Sequence, residues 1–405
     1  MKQRKQSQDW IKEGEQVLMT TIARYPIVLK KGSGATVIDV DGKRYLDFVA
    51  GVAVDALGHA DPRFVKAIQK QASELIHISN YYYSIPQIEL AKRLVADSFA
   101  DRVFFCNSGT EANEAAIKLA RKYAKEKSGP DCFEIIATEG SFHGRTLGAL
   151  SATGQEKLQK GFEPLLPGFK HVPFDDPDAV EKTITPRTAA VLVEPIQGER
   201  GVQIPDPGYL ARLREICDRR GVLLILDEVQ TGIGRTGRLF AYEHAGISPD
   251  IMTLAKGLGG GVPIGALLAK ETVARTFTPG SHSSTFGGNP LACAAGCAVM
   301  ERITPKAFLK GVRDRGAYLM KALSTVQKKT SRIKAVRGIG LIVAADLTVP
   351  AAPVVDRARE RGLLLNRTSD ETLRFVPPLT IGRPEIDKMI TLLTDIITEF
   401  PNAEA

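Results

Sequence analysis

Cysteine is scarce. There are five in 405 residues, scattered, with no C-x-x-C pair and no Cys/His cluster. That pattern excludes a disulfide framework and a structural zinc site and leads us to expect no metal and a reduced, cytoplasmic setting. Cys293 and Cys297, four apart in "PLACAAGCAVM", are expected to share a helix face as small packing residues. Long apolar runs are missing too. No stretch approaches the ~18 consecutive apolar residues of a membrane helix, and the start, MKQRKQSQDW, has basic residues with no apolar run behind them, so no secretory signal is expected. Basic clustering is also lacking. The net charge of +8 is modest for this length, and the densest basic run, "ARKYAKEK" (120–127), interleaves its charges as a solvated helix face does. Nucleic-acid binding is therefore not expected. No internal repeat or low-complexity linker interrupts the chain.

What is present is an ordinary globular composition, 43% hydrophobic and 25% charged, in a chain long enough for two domains. After a helical stretch at roughly 8–23, Asp41-Gly42 in "ATVIDVDGKRYLDFVAG" signals a hairpin. From about 60 to 300, helical spacing alternates with short, continuously apolar runs: "RVFFC", "EIIAT", "AVLVEPI", "VLLILD" and "DIMTLA". Such runs suit a parallel sheet buried on both faces. The predicted fold is α/β: a mostly parallel central sheet in a large ligand-binding domain over 58–300, with a smaller α+β domain built from both chain ends, 1–57 and 301–405.

One lysine stands out. In "TLAKGLGGGVPIGALLA" (253–269), Lys256 follows a strand-like run and precedes four glycines. It is either a strand-end lysine reaching water or an amine kept unprotonated for covalent chemistry. Ligands of open α/β sheets bind beyond the carboxyl ends of the strands, so the other ends bear on the choice. "VLLILDEVQTG" ends in Asp227 and Glu228, which pair with the lysine or share a ligand with it. "RVFFCNSGTEANEAAIKLAR" runs from a strand into Asn107, Ser108, Gly109 and Thr110 and then a helix. That is an ordinary N-cap or an anion cradle. Together the three ends match what pyridoxal phosphate needs: an anion site, an acid for its ring nitrogen and an amine for its aldehyde. "SFHGRTLGALSATG" adds Phe142, able to stack on a ring, and Arg145, able to fork onto a carboxylate, with His143 read as structural. A rival motif, "GIGRTG" (232–237), matches the dinucleotide pattern of an NAD-dependent dehydrogenase. Four residues separate it from its strand, and two carboxylates end that strand, which is wrong for a pyrophosphate.

With those residues in view, the chain from about residue 24 resembles the class III (omega-type) aminotransferases of fold type I. The likeness rests on "NSGTEANEAAIKLAR", "FHGRT", "EPIQGE", "LILDEVQTGIGRTG", "LAKGLGGGVPIGA", "STFGGNPLAC" and "RFVPPLTI", in that order. The resemblance implies pyridoxal 5'-phosphate bonded to Lys256, with Asp227 on the pyridinium nitrogen and Glu228 beside it. It implies Val229 under the ring, Gln230 near the ring hydroxyl, Phe142 above, and Ser108, Gly109 and Thr110 at the phosphate. Thr285 would reach the phosphate of the other subunit of a homodimer with sites at the interface. Arg145 and Ser284 would contact N-acetylornithine as amino donor, and Glu199 with Arg374 would handle two unlike substrates, the second being glutamate or 2-oxoglutarate. The branch implied serves arginine biosynthesis; branches using ornithine, succinylornithine or 4-aminobutyrate are the alternatives, together with an aminomutase. Asp55 and Ser283 depart from the asparagine and glycine of the family pattern. Val52 stands where ornithine-specific members carry tyrosine, against free ornithine as substrate.

Overall fold

The computed structural model describes residues 5–400. A seven-stranded sheet forms its centre, in the spatial order Arg102–Cys106, Gly265–Ala269, Ile251–Leu254, Leu223–Asp227, Thr188–Val193, Glu134–Thr138, Phe169–Val172. All neighbours pair in parallel except Gly265–Ala269, which is antiparallel to both of its neighbours. Every residue of Leu223–Asp227 is buried. Leu224, Ile225 and Leu226 have no exposed surface, each contributing about 1.5–3 kcal/mol by burial, so a charge at Ile225 would break the sheet from within.

Helix Gly109–Ser128 covers one face. Ser108 caps it by accepting from the Glu111 N–H at 3.3 Å. Its buried side is largely alanine: Ala112, Ala115, Ala116 and Ala120, small enough for the helix to lie close on the strands. Close approach recurs at Gly265, where a Cβ would stand 2.3 Å from the Ser108 carbonyl oxygen. That glycine lets the antiparallel strand pass directly behind the cap.

The hairpin expected at Asp41-Gly42 pairs Thr36–Asp39 with Arg44–Asp47. Its second strand then joins Leu363–Leu364 in parallel, tying the two chain ends together. A separate antiparallel sheet runs Ile333–Ile339, Ile342–Leu347, Thr372–Phe375, Asn366–Arg367. Two local expectations change. The first helix spans Ser7–Val17 and stops where Leu18 turns extended; beyond it Met19 and Ile22 are exposed and bury no apolar face to prolong it. "GIGRTG" forms consecutive turns rather than a strand-to-helix phosphate loop. Its Arg235 donates to the Leu341 and Pro377 carbonyls at 3.0 and 2.6 Å, at the seam with the C-terminal strands.

Candidate active site

Four strand ends open on one edge of the sheet. The adjacent strands Leu223–Asp227 and Ile251–Leu254 are in register, which brings Asp227 and Lys256 to neighbouring positions. The strand Thr188–Val193 delivers Glu194, and Arg102–Cys106 delivers Asn107 and Ser108. Between them lies a cavity of about 420 Å³ lined by Ser108, Gly109, Thr110, Phe142, Arg145, Asp227, Val229, Gln230 and Lys256, with Val54, Asn113, His143 and Glu194. Its size is that of a small-molecule site.

Lys256 opens a short 3-10 turn with φ of +43°, a left-handed conformation unusual for a side chain and typical of functional sites. Among the described residues Lys256 forms no ion pair, so it is not simply the partner of Asp227. Burial lowers its pKa below the ordinary lysine value. Arg374 lowers it further, against the opposing pull of Glu199, Asp227 and Glu194. The result is an amine biased toward its nucleophilic form.

Asp227 is held from three sides. Its Oδ2 accepts from Asn113 Nδ2 at 2.7 Å and faces His143 Nδ1 at 2.8 Å, and its Oδ1 accepts from the Val229 N–H at 3.0 Å. Asn113 is fixed in turn by Thr253, whose hydroxyl donates to its Oδ1 at 2.7 Å. At the opposite wall, the Gly109 and Thr110 N–H groups at the helix N-terminus find no acceptor among the described residues, which suits an incoming anion. A Cβ on Gly109 would stand 2.8 Å from Val229 Cγ1, so glycine is what lets the cradle and the cavity floor meet. Arg145 is exposed above Phe142, its guanidinium 5.6 Å from the ring centroid, and forms no ion pair among the described residues.

Glu199 and Arg374 meet at 2.6 Å, with Arg374 only 1% exposed. Gln230 bridges them: its Nε2 donates to Glu199 at 3.2 Å while its Oε1 accepts from Arg374 at 3.1 Å. Arg374 also donates to Asn366 Oδ1 and the Gly198 carbonyl. Burial by itself would raise the Glu199 pKa; Arg374, Lys256 and the bonds from Arg374 and Gln230 outweigh it and hold the carboxyl below its usual range.

Two expectations are corrected or refined here. Glu228 does not line the cavity. Its carboxylate accepts from the Ala241 and Tyr242 N–H groups at 2.6 and 2.8 Å and from the Thr231 hydroxyl, because consecutive residues at a strand end point to opposite faces. Ser284 and Thr285 line a second depression with Asn80, Tyr81 and His282 instead. Ser284 Oγ touches the first site only through Asn107 Nδ2, at 3.3 Å. Sequence reasoning missed Asn113, Glu194 and the contact role of His143. Glu194 is buried, its Oε2 accepting from the Phe142 N–H at 3.1 Å. Burial and then the Asp227 charge push its pKa well above the usual carboxylate value.

The aminotransferase class-III family model matches residues 20–397. Over 94% of this chain and 97% of its own, the acetylornithine aminotransferase of Caldanaerobacter subterraneus is 55% identical. Among solved structures, N-acetylornithine aminotransferase from Stenotrophomonas maltophilia superposes with a TM-score of 0.83 at 38% identity, covering 96% of this chain and 99% of that one. Ornithine aminotransferase from Toxoplasma gondii, crystallised with pyridoxal phosphate partly occupying its active site, superposes at 0.94 with 36% identity over 98% and 95%. The dehydrogenase reading falls with these matches. An amine of lowered pKa, an anion cradle and a clamped carboxylate around one cavity are what pyridoxal phosphate requires, and with a family match spanning nearly the whole chain they make this protein a member of the class III aminotransferases, pyridoxal-phosphate enzymes of fold type I.

Proposed function

We propose that this aminotransferase moves the terminal amino group of N-acetylornithine to 2-oxoglutarate, giving N-acetylglutamate semialdehyde and glutamate, as a step of arginine biosynthesis. The observation that carries the reading is the Glu199–Arg374 contact, which Gln230, a residue lining the Lys256 cavity, joins to that cavity by bonding to both partners. Support comes also from the relatives named acetylornithine aminotransferase at about half identity.

The residues fit the cofactor. Lys256 offers the amine for its aldehyde, Asp227 the charge for its ring nitrogen, and the Gly109 and Thr110 N–H groups, with Ser108, the site for its phosphate. Phe142 and Val229, which line the cavity, would pack against the ring, and Gln230 would offer its amide to the ring hydroxyl. When bound, pyridoxal phosphate supplies an electron-accepting ring conjugated to the reacting carbon–nitrogen bond. Asp227, oriented by Asn113 and His143, would favour the protonated ring nitrogen. Lys256 Nζ would be the group that takes up and gives back the proton of the substrate carbon.

Arg145 binds the far carboxylate of N-acetylornithine, which leaves the terminal amine at Lys256. That donor has no carboxylate beside its reacting carbon, so Glu199 stays on Arg374 and neutralises it. Glutamate brings an α-carboxylate; Glu199 then rotates away and Arg374 takes the substrate. The chain acts as a homodimer in this reading. Tyr81 and Tyr83 (each 91% exposed) line one depression with Ser284 and Thr285, and Ile85 and Phe286 are exposed as well; a second copy covering that surface would carry Thr285 and Ser284 to the partner's site. Among the described residues no helix is long and apolar enough to cross a membrane, and all five cysteines are free, which supports a cytoplasmic location. Residues 1–57 and 301–405 are proposed as one small domain, and 58–300 as the large one. The test is a panel of amino donors with 2-oxoglutarate, scored by glutamate formed. N-acetylornithine should give the highest kcat/KM. Preference for ornithine or 4-aminobutyrate would overturn the assignment.

A further inference from the structure

The loop that carries Glu199 is fastened two residues further on. Arg337, on the strand Ile333–Ile339, donates from Nε and Nη2 to the Gly201 carbonyl at 2.8 and 2.6 Å and from Nε to that of Val202 at 3.2 Å. Asp346, on the adjacent strand, forks onto the same guanidinium, at 3.0 Å from Nη2 and closer from Nη1. It also accepts from the Thr372 hydroxyl at 2.7 Å. Asp346 and Thr372 are paired in register, as are Ala344 and Arg374. Two latches therefore lie side by side between one loop and one sheet: Glu199 on Arg374, and Gly201-Val202 on Arg337, which is held in turn by Asp346 and, behind it, Thr372.

The second latch holds backbone. Gly201 has φ of +90° and Val202 +55°, a bent conformation that needs outside restraint. Val202 is fully buried in a small cluster with Ile342, Ala344 and Val376, the last of these two residues past Arg374. Arg337 itself directs its guanidinium to those two carbonyls and to Asp346, away from any substrate.

We infer that Arg337 is a positioning residue for donor discrimination. By pinning the Gly201 and Val202 carbonyls it fixes the backbone under Glu199, so that Glu199 opens and closes on Arg374 by side-chain rotation alone. This rests on the two-substrate role proposed above for Glu199. With the pin removed, the loop drifts, Glu199 leaves Arg374 without being displaced by a substrate carboxylate, and the bare guanidinium opposes the omega-amine donor while still serving glutamate.

The test uses the holoenzyme and single-turnover rates for each donor. In Arg337→Gln the ratio of kcat/KM for N-acetylornithine to that for glutamate should fall roughly 3- to 10-fold, the scale of one or two lost hydrogen bonds. Arg337→Lys, which keeps the charge and one donor, should fall less. Adding Arg337→Gln to Glu199→Gln should produce no further shift, since both act through one contact. Equal losses on both donors would mark Arg337 as merely structural and overturn the inference. Should Arg337→Gln fail to fold, Thr372→Val removes the hydroxyl's bonds to Asp346 and Ser369 and leaves Arg337 in place; an unchanged ratio in that variant would overturn it equally. A ratio that stays fixed in Glu199→Gln itself refutes the Glu199 role. A shift there with none in the Arg337 variants refutes the pin alone.

Discussion

Replacing Glu199 by Gln removes the charge that faces Arg374 and keeps the shape. Arg374 is enclosed, while the Glu199 side chain is 30% exposed. The cost of breaking a fully buried pair, about 3–5 kcal/mol, is therefore too high an estimate, and that of an exposed pair, about 0–1 kcal/mol, too low. An intermediate of about 1.5–2 kcal/mol corresponds to roughly 10- to 30-fold in a rate ratio. The variant should fold, because Asn366, the Gly198 carbonyl and Gln230 still hold the guanidinium. N-acetylornithine, with no carboxylate at the reacting carbon, then meets an unneutralised Arg374 and its kcat/KM falls. Glutamate meets an arginine already free and holds or gains. Stopped-flow single-turnover measurements of the two half-reactions give the ratio directly. Since Arg374 and its neighbours hold Glu199 below the usual carboxylate range, discrimination in the parent should persist into mildly acid solution and fade only as pH falls through that lowered pKa. A ratio unchanged by Glu199→Gln would refute the reasoning.

Other perturbations probe separate parts of the site. Arg145→Ala should lower kcat/KM for N-acetylornithine on the order of 10- to 100-fold, the worth of a charge-assisted bond, and an uncharged omega-amine much less; equal losses would contradict the assignment. Asn113→Leu strips Asp227 of one donor and should weaken cofactor retention about 10-fold or more in equilibrium dialysis; unaltered retention would mean that Asp227 needs no such support. Glu228 is pushed up to about 7 by burial. Its folded pKa lies above the unfolded one, so its stabilising contribution is full below the ordinary carboxylate value and is lost as pH rises through about 7. The Tm of Glu228→Gln relative to the parent should therefore improve between pH 5 and pH 8, and a difference constant with pH would show that Glu228 does not titrate there.

The sequence made the sheet and the strand-end residues legible because buried parallel strands are short apolar runs and their ends stand out as polar. Asp227, Lys256 and Ser108–Thr110 were found in that way. Glu194 carries the same signal after Thr188–Val193, since "AVLVE" ends on a carboxylate just as "LLILD" does. Glu228 was misplaced by ignoring alternation at a strand end: Asp227 turns into the cavity, so its neighbour turns out. Asn113 lay hidden in a helix whose buried face is otherwise mostly alanine, and one buried amide among alanines was the available clue. Ser284 and Thr285 could not be positioned by local pattern, because their loop borders a different depression of the same chain. Arg337 and Asp346 were out of reach for a similar reason. Arg337 bonds to carbonyls 136 and 135 residues earlier in the chain, and neither it nor Asp346 belongs to a local motif.

The central claim is that the Lys256 cavity passes the terminal nitrogen of N-acetylornithine to 2-oxoglutarate. The most direct measurement supplies N-acetylornithine labelled with heavy nitrogen at the terminal amine, or in a second sample at the acetylated nitrogen, and analyses the glutamate by mass spectrometry. Label should appear in glutamate from the first sample and not from the second, with turnover reduced roughly 10²- to 10⁴-fold or more in Lys256→Ala. Unlabelled glutamate from the first sample, or undiminished transfer by Lys256→Ala, would contradict it.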